Sequence, residues 1–179
     1  DLPSNDTSWK IIVDDARAHI LTNDKKYDCI TSEPSWPWSS GVAALFTQEF
    51  MTAAKLRLTD DGVFCQWLPN YTEDVKMMYK TMRQVYDEVD VWSINFPNDY
   101  NAELLLVGHS GRTKSQAQAK ADIDKYINSQ KWGSELIAPQ CITPYAGVAE
   151  LESGLNDKSI PLNTDNHSQL EYRVFWNFV

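Results

Sequence analysis

The chain has 179 residues, of which 42% are hydrophobic and 23% charged, and it carries a formal net charge of −9. One domain of this size buries about two-thirds of its unfolded surface, and no apolar run approaches the ~20 residues of a membrane span. The acidic balance argues against nucleic acid, because phosphate binding wants a basic face; it permits a cationic substrate, although solubility explains such a charge equally well.

In chain order, residues 10–13 (Lys-Ile-Ile-Val) are a short apolar strand candidate closed by Asp14 and Asp15, and residues 16–21 look helical. A second strand, 27–32, ends at Glu33 and runs into two prolines and two indoles, Pro34, Trp36, Pro37 and Trp38, before Gly41. Thr47 can cap a helix reaching about residue 58, with Phe46, Phe50, Ala53 and Ala54 sharing a face. Asp60-Asp61-Gly62 signals a turn, and residues 63–68 predict a third strand stopped by Pro69.

Thr72 caps another helix, with Glu73 and Asp74 in its positive first turn. Its stripe of Val75, Met78, Tyr79, Met82, Val85 and Tyr86 has a helical period and reads most simply as core. Residues 89–94 and 103–107 predict two strands suited to antiparallel pairing across the Pro97-Asn98-Asp99 loop. A polar, Ala-rich helix follows at 114–130, with Ala119, Ile123, Tyr126 and Ile127 as its thin apolar face. The tail, 161–179, ends in the aromatic run Tyr172, Phe175, Trp176 and Phe178.

Cys29, Cys65 and Cys141 are odd in number and far apart, and His19, His109 and His167 stand alone, so no pair has zinc spacing and no metal site is expected. Cys29 and Cys65 fall in apolar strand-like runs, where a small buried thiol is the ordinary expectation. A reducing, cytoplasmic compartment fits this usage. There is no secretory signal and the chain starts at Asp1, so we read it as a segment of a longer protein.

Strands alternating with helices predict an α/β sheet with mostly parallel strands. In such sheets ligands sit beyond the carboxyl ends of the strands. Three such ends are chemically loaded: Asp14/Asp15, Glu33 with its aromatic loop, and Gln66-Trp67. Their expected convergence on one rim is the main functional signal of the bare pattern.

The segments VDDARAHI, YDCITSEPSWPW, GVAALFTQEF, DDGVFCQWL and LNTDNHSQLEYR, in this order and spacing, resemble the spermidine/spermine synthase family, and most of all its branch often fused to membrane-spanning segments. The resemblance covers about residues 9–110 and 160–173. It implies the class I methyltransferase-like (Rossmann-like) fold and transfer of an aminopropyl group from decarboxylated S-adenosylmethionine to an amine such as a polyamine. The donor is a co-substrate, and no tightly bound cofactor is implied.

Residue by residue, the resemblance implies that Asp15 with Ala16 reads the donor's adenine. Glu33 stands where the family usually has the Asp that accepts the amine's proton, and Gln66 lies near a polar position lining the amine pocket. Trp36 stands where synthases commonly carry a second Asp that grips the acceptor. The glycine-rich donor loop and the acidic residue that holds the ribose are absent, so the resemblance implies a partial domain lacking the family's first two strands.

Each residue also has a plainer reading. Glu33 is either a site carboxylate or a solvated strand end. Asp15 is either the adenine reader or the N-cap of the following helix. Trp36 and Trp38 are either an aromatic wall for a cationic or planar group, worth roughly 0.5–2 kcal/mol per cation–π contact, or a hydrophobic plug set by the prolines. Gln66 and Tyr71 are explained as well by packing at the sheet edge. Trp67 reads as core, and His109 as a solvated residue near the Ser110-Gly111 turn.

The expectation is therefore one partial spermidine synthase-like domain over 1–179, with the sheet and helix core at 1–110 and a C-terminal helix and tail at 111–179. The alternatives are a methyltransferase using ordinary S-adenosylmethionine and a non-catalytic polyamine-sensing or assembly domain. An open sheet edge would favour homodimerisation through it.

Overall fold

In the computed structural model, which describes residues 10–34, 37–39, 41–70, 72–95, 103–111, 115–129 and 139–170, the first regular element is a short helix, α1 (Ala16–Thr22). Asp15 is its N-cap: extended at φ −69° and ψ 119°, it accepts from Ala18 N at 2.7 Å. This is the bond expected of a short carboxylate satisfying an orphan amide of the first turn. Strand β1 (Tyr27–Ser32) follows. A 3-10 turn (Ala43–Phe46) then leads into α2 (Gln48–Leu56), whose cap Thr47 accepts from Phe50 N.

Next come β2 (Leu58–Pro69) and α3 (Thr72–Arg83), then β3 (Glu88–Ile94) and β4 (Glu103–His109). The C-terminal part adds α4 (Gln116–Ser129), β5 (Ile142–Pro144) and α5 (Val148–Ser153). The strands form one sheet in the order β1-β2-β4-β3-β5.

Strands β1, β2 and β3 share one direction, while β4 and β5 run against them. Because β4 inserts between β2 and β3, the parallel neighbours of the described sheet are β1 and β2. The β3–β4 pair is the antiparallel pair read from the sequence, in register from Glu88 opposite His109 to Ile94 opposite Glu103.

One face of the sheet packs under α2 and α3. Phe64 and Leu68 of β2, Leu104 and Leu106 of β4, and Val91 of β3 are fully buried there. They meet Phe50, Met51 and Ala54 of α2 and the α3 stripe of Val75, Met78, Tyr79 and Met82. Phe64 stacks on Tyr86 at 5.8 Å and meets Phe50 edge-on at 6.2 Å. Each such side chain contributes roughly 1.5–3 kcal/mol by leaving water, which explains why the helical period of α3 was so legible. Gly108 is required here, since a Cβ would lie 2.5 Å from the Tyr86 ring.

Several expectations are corrected. Residues 10–13 form no strand, and Ile11 and Val13 are exposed; an apolar run becomes a strand only where another strand offers its hydrogen-bonding groups, and none of the described strands lies beside it. The Asp60-Asp61-Gly62 turn lies inside β2, as a bulge. There β2 advances from Leu58 to Val63 while β1 advances only from Tyr27 to Cys29, and the chain folds so tightly that a Cβ on Gly62 would lie 2.9 Å from Leu58 Cβ.

Cys29 is exposed, because β1 is the edge strand of the described sheet. Trp67 is half-buried on the second face of the sheet, its indole N–H donating to Glu103 Oε2 at 2.9 Å. His109 is buried rather than solvated, with Nε2 3.7 Å from Asp90 Oδ2; as the last residue of β4 it pairs with both β2 and β3.

Candidate functional site

A cleft of about 530 Å³ opens beside the carboxyl end of β1. Its first wall is the extended segment before α1, which turns alternate residues, Lys10, Ile12, Asp14 and Ala16, toward the space. The second wall is the tip of β1 and its continuation, from Ile30 to Pro34, including the exposed Glu33. Ile20, Leu45 and Phe50 make an apolar lining between them, and His19 contributes a polar group from α1.

Local physics puts the carboxylates there. Pro34 follows Glu33 immediately and lacks an N–H, so the chain leaves the ladder at that point. Asp14 precedes the helix cap, and its Oδ1 accepts from Asp15 N at 2.8 Å. His19 Nε2 lies 3.4 Å from Tyr27 Oη, which ties α1 to the start of β1.

Glu33 and Ala16, two of the residues singled out in the sequence, thus line one cleft. Asp15 does not line it; its carboxylate caps α1, and its neighbours Asp14 and Ala16 face the space. Gln66 pairs with Ser32 at the end of β1 and is fully buried, its Nε2 donating to Ser32 O at 3.2 Å and Trp67 O at 3.1 Å. It stands behind the Glu33 wall rather than in the cleft. Trp38 is half-buried and also outside the lining. Trp36 and Tyr71 lie outside the described residues.

Sequence reasoning placed Asp14 at a loaded segment end without giving it a role of its own, and did not name His19, Leu45 or Phe50 as site residues. The signal for Asp14 was present, since it sits beside Asp15 at a loaded segment end, and extended alternation decides which of two neighbours faces inward. His19 sits one helical turn after Ala16, a spacing that shares a face.

The charge at the second wall reaches its surroundings. Cys65, opposite Thr31 on β2, has its thiol pushed from 9.0 up to about 11, first by burial and then by the nearby Cys29 and Glu33. The rim carries the carboxylates of Asp14 and Glu33 beside Lys10 and His19, over an apolar floor, an arrangement that can hold a small polar molecule with an apolar body. Among the described residues no group of three or more His, Cys, Asp or Glu is arranged to hold a metal ion. No helix there is long and apolar enough to cross a membrane.

A model of the spermine/spermidine synthase domain matches residues 2–116. No curated protein sequence matches the chain. Among solved structures it is similar to a probable spermidine synthase from Corynebacterium glutamicum, at 16% identity and TM-score 0.56, over 87% of this chain and 54% of that one. It is also similar to a spermidine synthase in complex with the transition-state analogue AdoDATO, at 16% identity and TM-score 0.53, over 78% of this chain and 46% of that one. The spermidine synthase from Thermotoga maritima matches at 16% identity and TM-score 0.52, over 78% and 47%. At these identities the likeness is one of fold, the class I methyltransferase-like α/β architecture. The chain spans about half the length of the solved structures it matches.

Proposed function

The chain belongs to the spermine/spermidine synthase family, and from that premise we propose that its cleft is part of an aminopropyl-transfer site. In this reading Glu33 holds the acceptor amine and the segment around Asp14, Asp15 and Ala16 lies against the donor's adenine. The observation that carries the reading is that Glu33 lines the same cleft as Asp14 and Ala16 of that segment.

The chemistry needs a free amine. A primary amine near neutral pH is almost wholly ammonium, with a lysine-like pKa of roughly 10.4. Because Glu33 is exposed, it contributes by gripping and orienting the ammonium and passing its proton on to water. The freed nitrogen then attacks the carbon next to the donor's sulfonium. The N–C bond forms as the C–S bond breaks, and its electron pair returns to sulfur, leaving a neutral thioether. Holding nitrogen and carbon at reacting distance supplies more of the rate than the proton transfer does.

Trp36 in place of a gripping carboxylate supports an acceptor held by ring contact at one end, one that differs from putrescine. The glycine-rich donor loop is not in this sequence, so the 179-residue chain alone is expected to be inactive or nearly so. Because the chain spans about half the length of the structures it matches, we propose a longer parent protein that supplies the donor loop, and that parent is the subject of the activity test; a reducing, cytoplasmic setting is the one we propose for the domain.

Calorimetry with decarboxylated S-adenosylmethionine, ordinary S-adenosylmethionine and a polyamine series, paired with a transfer assay, tests the proposal. We expect tighter binding of the decarboxylated donor, and Glu33→Gln lowering kcat/KM by about 100-fold or more. Preference for the ordinary donor with methyl transfer would replace the reading by a methyltransferase. Polyamine binding without any transfer would replace it by a sensing module.

A further inference from the structure

The segment 163–165, from the tail motif LNTDNHSQLEYR, lies beyond the residues matched by the family model. It nevertheless holds the elements that shape the cleft. Asn163 is fully buried. Its backbone N–H donates to Thr81 Oγ1 at 3.0 Å and its Nδ2 to Phe46 O at 3.0 Å. Its Oδ1 accepts from Leu170 N at 3.4 Å, and its backbone O accepts from Gln48 N at 2.9 Å. Asn163 therefore satisfies an orphan amide in the first turn of α2 and fixes the end of the 3-10 turn that carries Leu45.

Two residues on, Asp165 receives Arg17 of α1. Arg17 Nη1 donates to Asp165 Oδ1 at 2.9 Å, and Nη2 donates to Asp165 Oδ2. The same Nη1 reaches Ala44 O at 2.7 Å and Thr47 Oγ1 at 3.2 Å. The backbone N–H of Asp165 donates to Glu49 Oε2 at 2.9 Å. One guanidinium thus ties α1, the 3-10 turn, the α2 cap and the tail, using the planar fork that a lysine lacks. Arg17 adjoins Ala16, Ala44 adjoins Leu45, and Thr47 caps the helix that carries Phe50; Ala16, Leu45 and Phe50 all line the cleft.

We infer that Asp165 is a positioning residue that clamps α1 against the start of α2 through Arg17, on a tail segment that Asn163 anchors to α2, and so sets the width of the cleft. The inference rests on the proposed function only for what the cleft binds. The clamp joins residues 148 positions apart, so the cleft is shaped by the far end of the chain rather than by the segment that lines it. Partial burial raises the Asp165 carboxyl, but hydrogen bonding to Arg17 and Thr47 and the guanidinium charge outweigh it and hold it below its ordinary value. The pair is therefore charged at neutral pH.

The test uses the parent protein with Asp165→Asn, which keeps the shape and removes the charge. We expect the donor KM to rise about tenfold with kcat within about twofold of wild type. Amide exchange in α1 should quicken about tenfold while β2 and β4 keep wild-type protection. Asp165→Glu should recover part of both effects.

An unchanged KM, unchanged α1 exchange, or loosening confined to 163–170 would each overturn the proposal. If Asp165→Asn does not fold, Arg17→Lys takes its place: it keeps the charge, loses the fork, and should move both readouts the same way by a smaller factor. If wild-type protein transfers nothing, the proposed function has failed, and α1 exchange alone then decides the clamp.

Discussion

The two faces of the sheet are made from the same strands by the same alternation, yet they differ sharply. On the face under α2 and α3, Phe64, Gln66, Leu68, Leu104 and Leu106 are fully buried. On the other face their neighbours Val63, Cys65, Trp67, Leu105 and Val107 are only half-buried. That second face is graded: Cys29 and Thr31 are exposed at the β1 edge, while Trp92 and His109 are buried toward β3 and β4. The comparison shows that burial, and with it stability, is assigned unequally to the two faces of one sheet. The helix-covered face holds the fold, and the cleft opens at its β1 margin, where Ile20, Leu45 and Phe50 of the core meet the strand end at Glu33.

The largest effect expected from this division is on stability. Phe64→Ala should cost about 3–5 kcal/mol, since it removes a ring packed against Phe50 and Tyr86. Leu105→Ala, on the half-buried face, should cost about 1 kcal/mol. Urea unfolding measures both, as midpoint shifts with an unchanged slope. Equal costs would mean that the two faces are covered alike in solution.

Gly108→Ala comes next. Its Cβ would lie 2.5 Å from Tyr86 Cδ2, with Met82 Cε also close. Tyr86 cannot move freely, because its Oη donates to Met51 O at 3.1 Å in the core. Overpacking of this kind costs about 1–3 kcal/mol, whereas Gly111→Ala, with nothing near its Cβ but a φ of +81°, should cost less and through backbone strain alone. If Gly111→Ala proves the more damaging of the two, contact with the Tyr86 ring is not what fixes β4.

These pairings show where the sequence could be read and where it could not. The α3 stripe was legible because a helix repeats its burial every turn, and a single large cluster decides all of it. The tip of β1 was legible because Pro34 ends the strand beside a carboxylate. Residues 10–13 misled, since composition makes a strand candidate but only a neighbour makes a strand. Cys29 and Cys65 have similar local surroundings in sequence, and they differ because β1 is an edge while β2 is flanked on both sides. The clamp between Arg17 and Asp165 had no local signal, because neither residue's neighbours announce a partner across most of the chain.

A smaller effect separates capping from recognition at Asp15. Asp15→Ala removes the bond to Ala18 N and should cost about 1 kcal/mol, while Asp15→Asn, an equally good cap, should cost almost nothing in stability. If Asp15 also reads the donor, Asp15→Asn weakens donor binding in calorimetry at unchanged Tm. If it only caps α1, the asparagine variant binds as wild type does.

The smallest effect lies on the second face itself, in its two cysteines. Cys29 is exposed and Cys65 is not, and burial together with Cys29 and Glu33 pushes the Cys65 thiol from 9.0 up to about 11. The thiolate is the reactive form, so at pH 8 iodoacetamide should label Cys29 first and leave Cys65 largely unmodified, read by mass spectrometry. A raised value also means that the folded state holds this proton more tightly than the unfolded one. Its stabilisation is complete below pH 9 and is lost as the pH climbs from 9 toward 11. Cys65→Ser should therefore flatten the alkaline limb of the stability curve over that window and leave neutral pH nearly unchanged, whereas Cys29→Ser should flatten it only slightly, by removing a secondary charge. If instead both thiols label together at pH 8, the second face is open along its whole length, and the gradient from β1 to β3 does not exist.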